Sequence, residues 1–440
     1  MSGYLVLHKH LSFGIKLIVI GLVCLSVGTA YGDSIEELHR AIQTKGARWF
    51  ARETPLSHVS GEEMRRWAGA QEDSSFAGMA PNPSFYVSVS LPFSFDWTNN
   101  QGNYVTPVKN QSSPKSCGSC WAFSTTAALE SKALITFDIP WVDLDLSEQI
   151  VLSCSNAGDC ENGGYANKAA DFLKGTGTYR EGCYPYTATD GVCTKACASW
   201  QAYAYKIDGW SYVVNGNTAD ANAIKNALHT SGPVVAWFKV YEDFRSYGGG
   251  VYSYTSGNYT GENHFVLIVG WDDARHAFKC KNSWGTNWGE SGFFWIDYGE
   301  LYGTGTTEFG KYVYAFGNAV ATPPPDGADL TGEWVSTSQT CKPSSKGQTC
   351  KISAKLQVSN KGNKAASSYV EIYLSDGGAY LKRTSTGKIN AGASKAITIS
   401  YSLPKGQSAS GKRLIAVIDP DDTVVETNEK NNVVVSETFQ

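Results

Sequence analysis

From Asp329 onward the chain alternates apolar and polar residues with a period of two. The runs are Ile352, Ala354, Leu356, Val358; Val370, Ile372, Leu374; Ile397, Ile399, Tyr401, Leu403; Leu414, Ala416, Ile418; and Val433, Val435. Alternation turns one face of each strand inward, and polar turns separate the runs at short intervals, so residues 329–440 predict a small all-β, immunoglobulin-like sandwich. Ala321-Thr-Pro-Pro-Pro-Asp-Gly ahead of it reads as a stiff, extended linker over 321–328. Between 91 and 320 the pattern differs. A helix is predicted from Cys120 to about Phe137, with others over Ser147–Leu152, Tyr165–Leu173 and Ala221–His229, the last ended by Gly232-Pro233. Strand-like runs follow at Val234–Val240, His264–Trp271, Phe278–Lys281, Phe293–Ile296 and Lys311–Phe316. Helices first and sheet second predict a two-part α+β domain with a cleft between the parts.

The N-terminal region adds two expectations. Lys9, His10 and Lys16, the apolar run Leu17–Val27 and the small residues after it read as a secretory leader over 1–32. Residues 33–90 carry a helical pattern from Ile35 to Ala51 and a capping box at Ser60 and Glu63, but no cysteine and too little apolar content for a core. A core-less piece between a leader and a domain predicts a pro-segment.

Composition narrows the class. The 440 residues are 42% hydrophobic and 18% charged with a net charge of −4, as in a globular protein, and no basic patch is evident. Nucleic acid and anionic membrane surfaces are therefore not expected partners. No later apolar run is long enough to span a bilayer, so no transmembrane anchor is expected. Export, extracellular or periplasmic, permits disulfides and makes the 11 cysteines informative.

Candidate chemistry gathers in Lys109–Thr126, which holds Gln111 and Cys117-Gly-Ser-Cys120-Trp-Ala-Phe. Two cysteines at this spacing suit a redox pair, two metal ligands, or one nucleophile beside one disulfide half. The histidines discriminate. His8 and His10 fall in the leader, His39 and His58 in the expected pro-segment, His229 at a helix end and His276 in a polar hairpin turn. His264 instead opens a continuous apolar strand, where it is held and can still face a cleft. Asn282 follows the next strand in Asn-Ser-Trp284. Its amide does not titrate but can accept an imidazole N–H and fix the tautomer, with Trp284 covering that bond from water. These elements have no role in redox exchange or zinc binding, so no metal or cofactor is expected.

Over Leu91–Phe316 the chain resembles papain-like cysteine proteases. The pieces that carry the resemblance are Val105-Thr-Pro-Val-Lys-Asn-Gln111, Cys117-Gly-Ser-Cys120-Trp-Ala-Phe-Ser, Cys154, Cys160 with Gly163-Gly164-Tyr165, Tyr184-Pro-Tyr186, Asn263-His264, and Asn282-Ser-Trp284 through Trp288-Gly. The resemblance implies Cys120 as nucleophile, His264 as acid/base, Asn282 as its orienter and Gln111 as oxyanion donor. It implies that Gly163 and Gly164 offer backbone groups to an extended peptide, that Tyr165, Asn263 and Trp284 border the substrate, and that Trp288 lines the leaving-group side. The chain departs from the family in a longer Gln111–Cys117 loop, one extra residue after Cys160, and Ala166 in place of a proline. Neutral Asn263 predicts hydrophobic residues two before the scissile bond, with Glu308 near the far end of that pocket.

The resemblance further implies the pairs Cys117–Cys160 and Cys154–Cys193. Cys183 and Cys197 are left for each other, with exchange between Cys183 and Cys193 open. Cys341 and Cys350 close a local loop in the tail, and Cys280 stays unpaired and buried. The tail resembles bacterial cell-adhesion-related (CARDB) sandwich domains in Val358-Ser-Asn-Lys-Gly362, Ile372–Asp376, Ala391-Gly392, Val417-Ile-Asp419, and Glu426, Asn428, Glu429, Asn431 and Asn432. The expectation is a secreted cysteine endopeptidase, made as a zymogen inhibited by its own pro-segment. It acts on proteins or peptides, and its tail binds a cell-surface or matrix ligand. The alternatives are a catalytically silent adhesion protein and an acyl-transferring variant.

Overall fold

The helix Cys120–Phe137 is the axis of the first half of the α+β domain. In the computed structural model, which describes residues 35–72, 79–343, 348–375 and 379–440, every residue of that helix from Cys120 to Leu134 is buried. The leader expected over 1–32 lies outside the described residues. A helix covered all round needs no amphipathic stripe, but its charges need partners. Glu130 accepts from Thr106, from Lys109 at 2.9 Å and from the Leu146 N–H at 2.9 Å. Lys132 Nζ donates to the Ser231 carbonyl at 2.6 Å. The helices Glu148–Cys154 and Ala166–Gly175 pack against it, the first capped by Ser147, which accepts from the Ile150 N–H.

The second half is a nine-stranded sheet. Its order is Arg48–Ala51, Tyr247–Tyr252, Phe293–Asp297, Ala277–Lys281, Tyr259–Asp272, Val234–Tyr241, Tyr312–Phe316, Trp210–Asn215, with Ser94–Asp96 beside the end of Tyr259–Asp272. The central strand Tyr259–Asp272 faces the Cys120 helix, which brings His264 to the cleft.

The strand Arg48–Ala51 is not in the sequence-based pattern, which extends a helix to Ala51. The helix stops at Lys45, and Gly46 at φ 64° turns the chain, as a left-handed glycine does after a helix. The freed residues extend the sheet antiparallel to Tyr247–Tyr252. A Cβ at Gly250 would meet the Arg48 carbonyl at 2.4 Å, so this edge needs its glycine. Trp49 packs among Tyr247 and Tyr252 and donates its indole N–H to Ser253 O and Thr255 Oγ1, both at 3.0 Å. A segment without a core of its own thus places Leu38, Ile42, Leu56 and Met64 in the core of the α+β domain.

The tail is a sandwich of a three-stranded sheet, Leu330–Lys342, Thr349–Asn360 and Ser394–Ser402, on a four-stranded one, Ala379–Ser385, Tyr369–Leu374, Leu414–Ile418 and Val433–Val435. Burial alternates along Thr349–Asn360, as the period-two pattern requires. The tail does not hang from its linker. Ile415 and Val417 join the core of the α+β domain, Trp141 stacks on Tyr373 at 5.4 Å, and the Asp143 N–H donates to Pro420 O at 2.7 Å. Arg180 is enclosed by the tail residues Asp422 and Glu429. Bridges join Cys117–Cys160, Cys154–Cys193, Cys183–Cys197 and Cys341–Cys350, while Cys120 and Cys280 are free and buried.

Candidate active site

Cys120 is the first residue of its helix; the preceding Ser119 gives no side-chain cap, and its carbonyl accepts the Ala122 and Phe123 N–H groups. The sulfur accepts the Phe265 N–H at 3.5 Å, which sets it beside the strand that carries His264. His264 Nε2 lies 2.7 Å from Asn282 Oδ1. An amide oxygen only accepts, so Nε2 carries the proton and Nδ1 is the bare nitrogen. Nδ1 is buried without a hydrogen-bond partner. Asn282 is held in turn: its Oδ1 also accepts the Ser283 N–H at 2.8 Å, and its own N–H donates to Gly292 O at 2.9 Å. Trp284 stacks on the imidazole with ring centroids 4.6 Å apart and covers the His264–Asn282 bond. This arrangement can pass a proton from a thiol to Nδ1 and return it to a leaving amine.

Gln111 is fully buried. Its Nε2 donates to Cys117 O at 3.1 Å and to Ala68 O at 3.2 Å, and its Oε1 accepts from Ser283 Oγ at 2.7 Å, which fixes the amide orientation. The longer loop between Gln111 and Cys117 does not displace it. Ser113, Pro114 and Lys115 bulge into solvent, while the Gln111 N–H stays bonded to Ser283 O and Cys117 stays bridged to Cys160. Tyr186, part of Tyr184-Pro-Tyr186 but given no role by the sequence, supports both sides: its hydroxyl donates to Gln111 O at 2.8 Å and lies 2.7 Å from Ser119 Oγ.

The cleft is filled by residues 67–71 of the N-terminal segment. Trp284 Nε1 donates to Trp67 O at 2.5 Å, and Ala68 O takes the Gln111 amide. The N–H groups of Gly69 and Ala70 both donate to Asn263 O, Gly164 N–H donates to Gly69 O at 2.8 Å, and Gln71 N–H donates to Gly164 O at 2.9 Å. Gly163 sits at φ 74° with its missing Cβ aimed at Gly69, so backbone meets backbone there. Gly164 and the Asn263 carbonyl carry strand-like backbone bonds to residues 69–71, while Gly163 only lets the two backbones approach. The Asn263 side chain turns aside to accept from Tyr259 OH at 2.7 Å. Trp288 is buried behind Trp284, edge-on at 5.0 Å, and its N–H donates to Arg245 O. Tyr165 borders the cleft beyond Gly163. Glu308, expected near the far end of the pocket, is taken by Lys239 and Lys311.

The covered site is electrically quiet. Burial pushes the Cys120 thiol up to about 12, against the opposing pull of the Phe265 and Trp121 backbone N–H groups. Burial likewise pushes His264 down to about 4, opposed by its bond to Asn282. Thiol and imidazole are both neutral while residues 67–71 lie over them.

The family described as Papain family cysteine protease matches residues 91–312, and CARDB matches 327–436. Pro-cathepsin H of Bos taurus is 37% identical over 259 residues, which span 56% of this chain and 71% of that one. Digestive procathepsin L 3 of Tenebrio molitor superposes with a TM-score of 0.50 at 27% identity, over 64% of this chain and 87% of that one. ProCathepsin B S9 of Trypanosoma congolense, at 22% identity and a TM-score of 0.55, shares the fold over 66% of this chain and 99% of its own.

Proposed function

The chain belongs to the papain family of cysteine proteases, and we propose that it is a secreted endopeptidase in which Cys120 attacks, His264 moves the proton, Asn282 holds His264, and Gln111 with the Cys120 N–H stabilises the oxyanion. The observation that carries this reading is the His264–Asn282 bond, which leaves Nδ1 bare on the strand beside the Cys120 sulfur. Attack on a peptide carbonyl forms a thioester and expels the amine with the proton taken from Cys120. Water, deprotonated by His264, then releases the acid.

Residues 33–90 act as the inhibitory pro-segment, 91–320 as the peptidase and 329–440 as a binding module docked on it. The direction of residues 67–71 explains why they inhibit and are not cut. Ala70 pairs with Gly164 in the parallel sense, with Trp67 at the Trp284 side. A substrate that leaves its amine on the Trp284 and Trp288 side must run the other way. The pro-segment satisfies Gln111 with the Ala68 carbonyl while its peptide bonds are reversed relative to the nucleophile.

Two outcomes test the reading. A peptidyl thiol-reactive inhibitor is expected to label the reduced, processed protein at Cys120 and to leave Cys120→Ala unlabelled. Processed wild type that takes no label would remove the nucleophile assignment. The mature N-terminus is expected near Leu91. Asn82–Val87 are held by Tyr212 O and the Asn226 amide, and the side chains of Val87 and Val89 are 59% and 46% exposed, which marks the stretch that follows as open to cleavage. Sequencing the N-terminus of active enzyme checks this, and full activity in protein that still carries 33–90 would refute it.

A further inference from the structure

Glu262 lies two residues before His264 on the strand Tyr259–Asp272, where the strand bulges against Val234–Tyr241. It stands on the wall of an open cleft of about 500 Å³ whose lining also includes Gly163 and Tyr165. Its side chain is 15% exposed. Its charge adds to the upward push on the Cys120 thiol. Among the described residues its ion-pair partner is Arg65, whose Nε lies 3.3 Å away. Arg66 reaches Glu161 of the other rim at 3.1 Å.

Both arginines belong to the segment that covers the cleft. The other charged groups there are engaged. The Asp159 carboxylate accepts the Glu161 and Asn162 N–H groups, Lys168 lies over the Tyr165 ring at 3.9 Å, and Glu308 is held by Lys239 and Lys311. Once the segment leaves, Glu262 loses its cation and opens to the cleft. A partly desolvated carboxylate gains most from a cationic partner, and an arginine can meet it with two parallel N–H donors.

We infer that Glu262 is a specificity-determining residue that receives the lysine or arginine side chain of a substrate on the acyl side of the scissile bond. This deepens the peptidase reading and rests on it, and it replaces the hydrophobic preference that a neutral Asn263 suggests.

The test uses processed enzyme whose active sites are first counted with the peptidyl thiol-reactive inhibitor. A positional peptide library is expected to show Lys or Arg favoured about 10-fold over Leu or Phe at one acyl-side position. In Glu262→Gln that ratio is expected to fall to about 1, and Glu262→Lys is expected to favour Asp or Glu there. An apolar preference at every acyl-side position in wild type overturns the inference without needing a variant. A profile shared by wild type and Glu262→Gln overturns it as well, and in both cases the peptidase reading stands. Processed protein with no titratable thiol overturns both.

Discussion

Alanine in place of His264 is expected to lower kcat/KM of the processed enzyme by about 10⁴-fold or more, with the fold retained. The thiol then has no base across the cleft from it, and the leaving amine has no acid. Asn282→Ala is expected to fall less, by about 10²-fold, because it misplaces the imidazole without removing it, and Trp284 still stacks on the ring. Steady-state kinetics at a counted active-site concentration distinguish the two, and His264→Ala with more than a hundredth of wild-type activity would remove the acid/base role. The same residue sets a pH dependence. In the covered chain burial holds His264 down to about 4, below its ordinary value near 6.5. Between those values the uncovered form binds a proton that the covered form refuses, so the cover loses stability as pH falls through this window. Hydrogen exchange at the Gly69, Ala70 and Gln71 amides, bonded to Asn263 O and Gly164 O, is expected to speed up on acidification from pH 6.5 to 4, and more in wild type than in His264→Ala.

Cys120, His264 and Asn282 were legible because the chemistry leaves few substitutes: one helix-start cysteine, one histidine opening an apolar strand, and one amide after the next strand. The tail sandwich was legible because its period-two pattern has no competing reading. The cover was not. Ala68-Gly69-Ala70 has no periodicity and works through backbone N–H and C=O groups, which every residue but proline owns. Arg48–Ala51 escaped because its partner strand holds Gly248, Gly249 and Gly250, a composition that argues against a strand. Glu262 reads as an ordinary solvated carboxylate until the fold sets it on the cleft wall with Gly163 and Tyr165. The docking of the tail was hidden for the same reason: Arg180 and Asp422 are distant in sequence, and each alone looks like a surface charge.

Arg180→Met is expected to destabilise the chain by about 3–5 kcal/mol and to release the tail. Arg180 pairs with Asp422 and with Glu429, the latter at 2.5 Å, and its side chain is only 11% exposed. Burial opposes its charge, but the two carboxylates outweigh burial and hold the guanidinium well above its usual range. Losing one partner of a buried group leaves the others charged without compensation or forces them to protonate, and either outcome is unfavourable. The rest of the contact, Trp141 on Tyr373 and Ile415 and Val417 in the shared core, does not supply a replacement cation. Combining Arg180→Met with Asp422→Leu and Glu429→Met is expected to restore much of the loss, because it removes the unpaired charges together. Urea unfolding reads the stability, and proteolysis within Ala321–Asp326 reads the docking; unchanged values for the single substitution would show that the ion cluster does not hold the tail. The effect should reach the active site. Glu181, next to Arg180, accepts the Tyr186 N–H at 2.5 Å, and the Tyr186 hydroxyl donates to Gln111 O. Arg180→Met is then expected to lower kcat more than it raises KM, because the contact it loosens is with the oxyanion donor and not with the peptide backbone at Gly163 and Gly164.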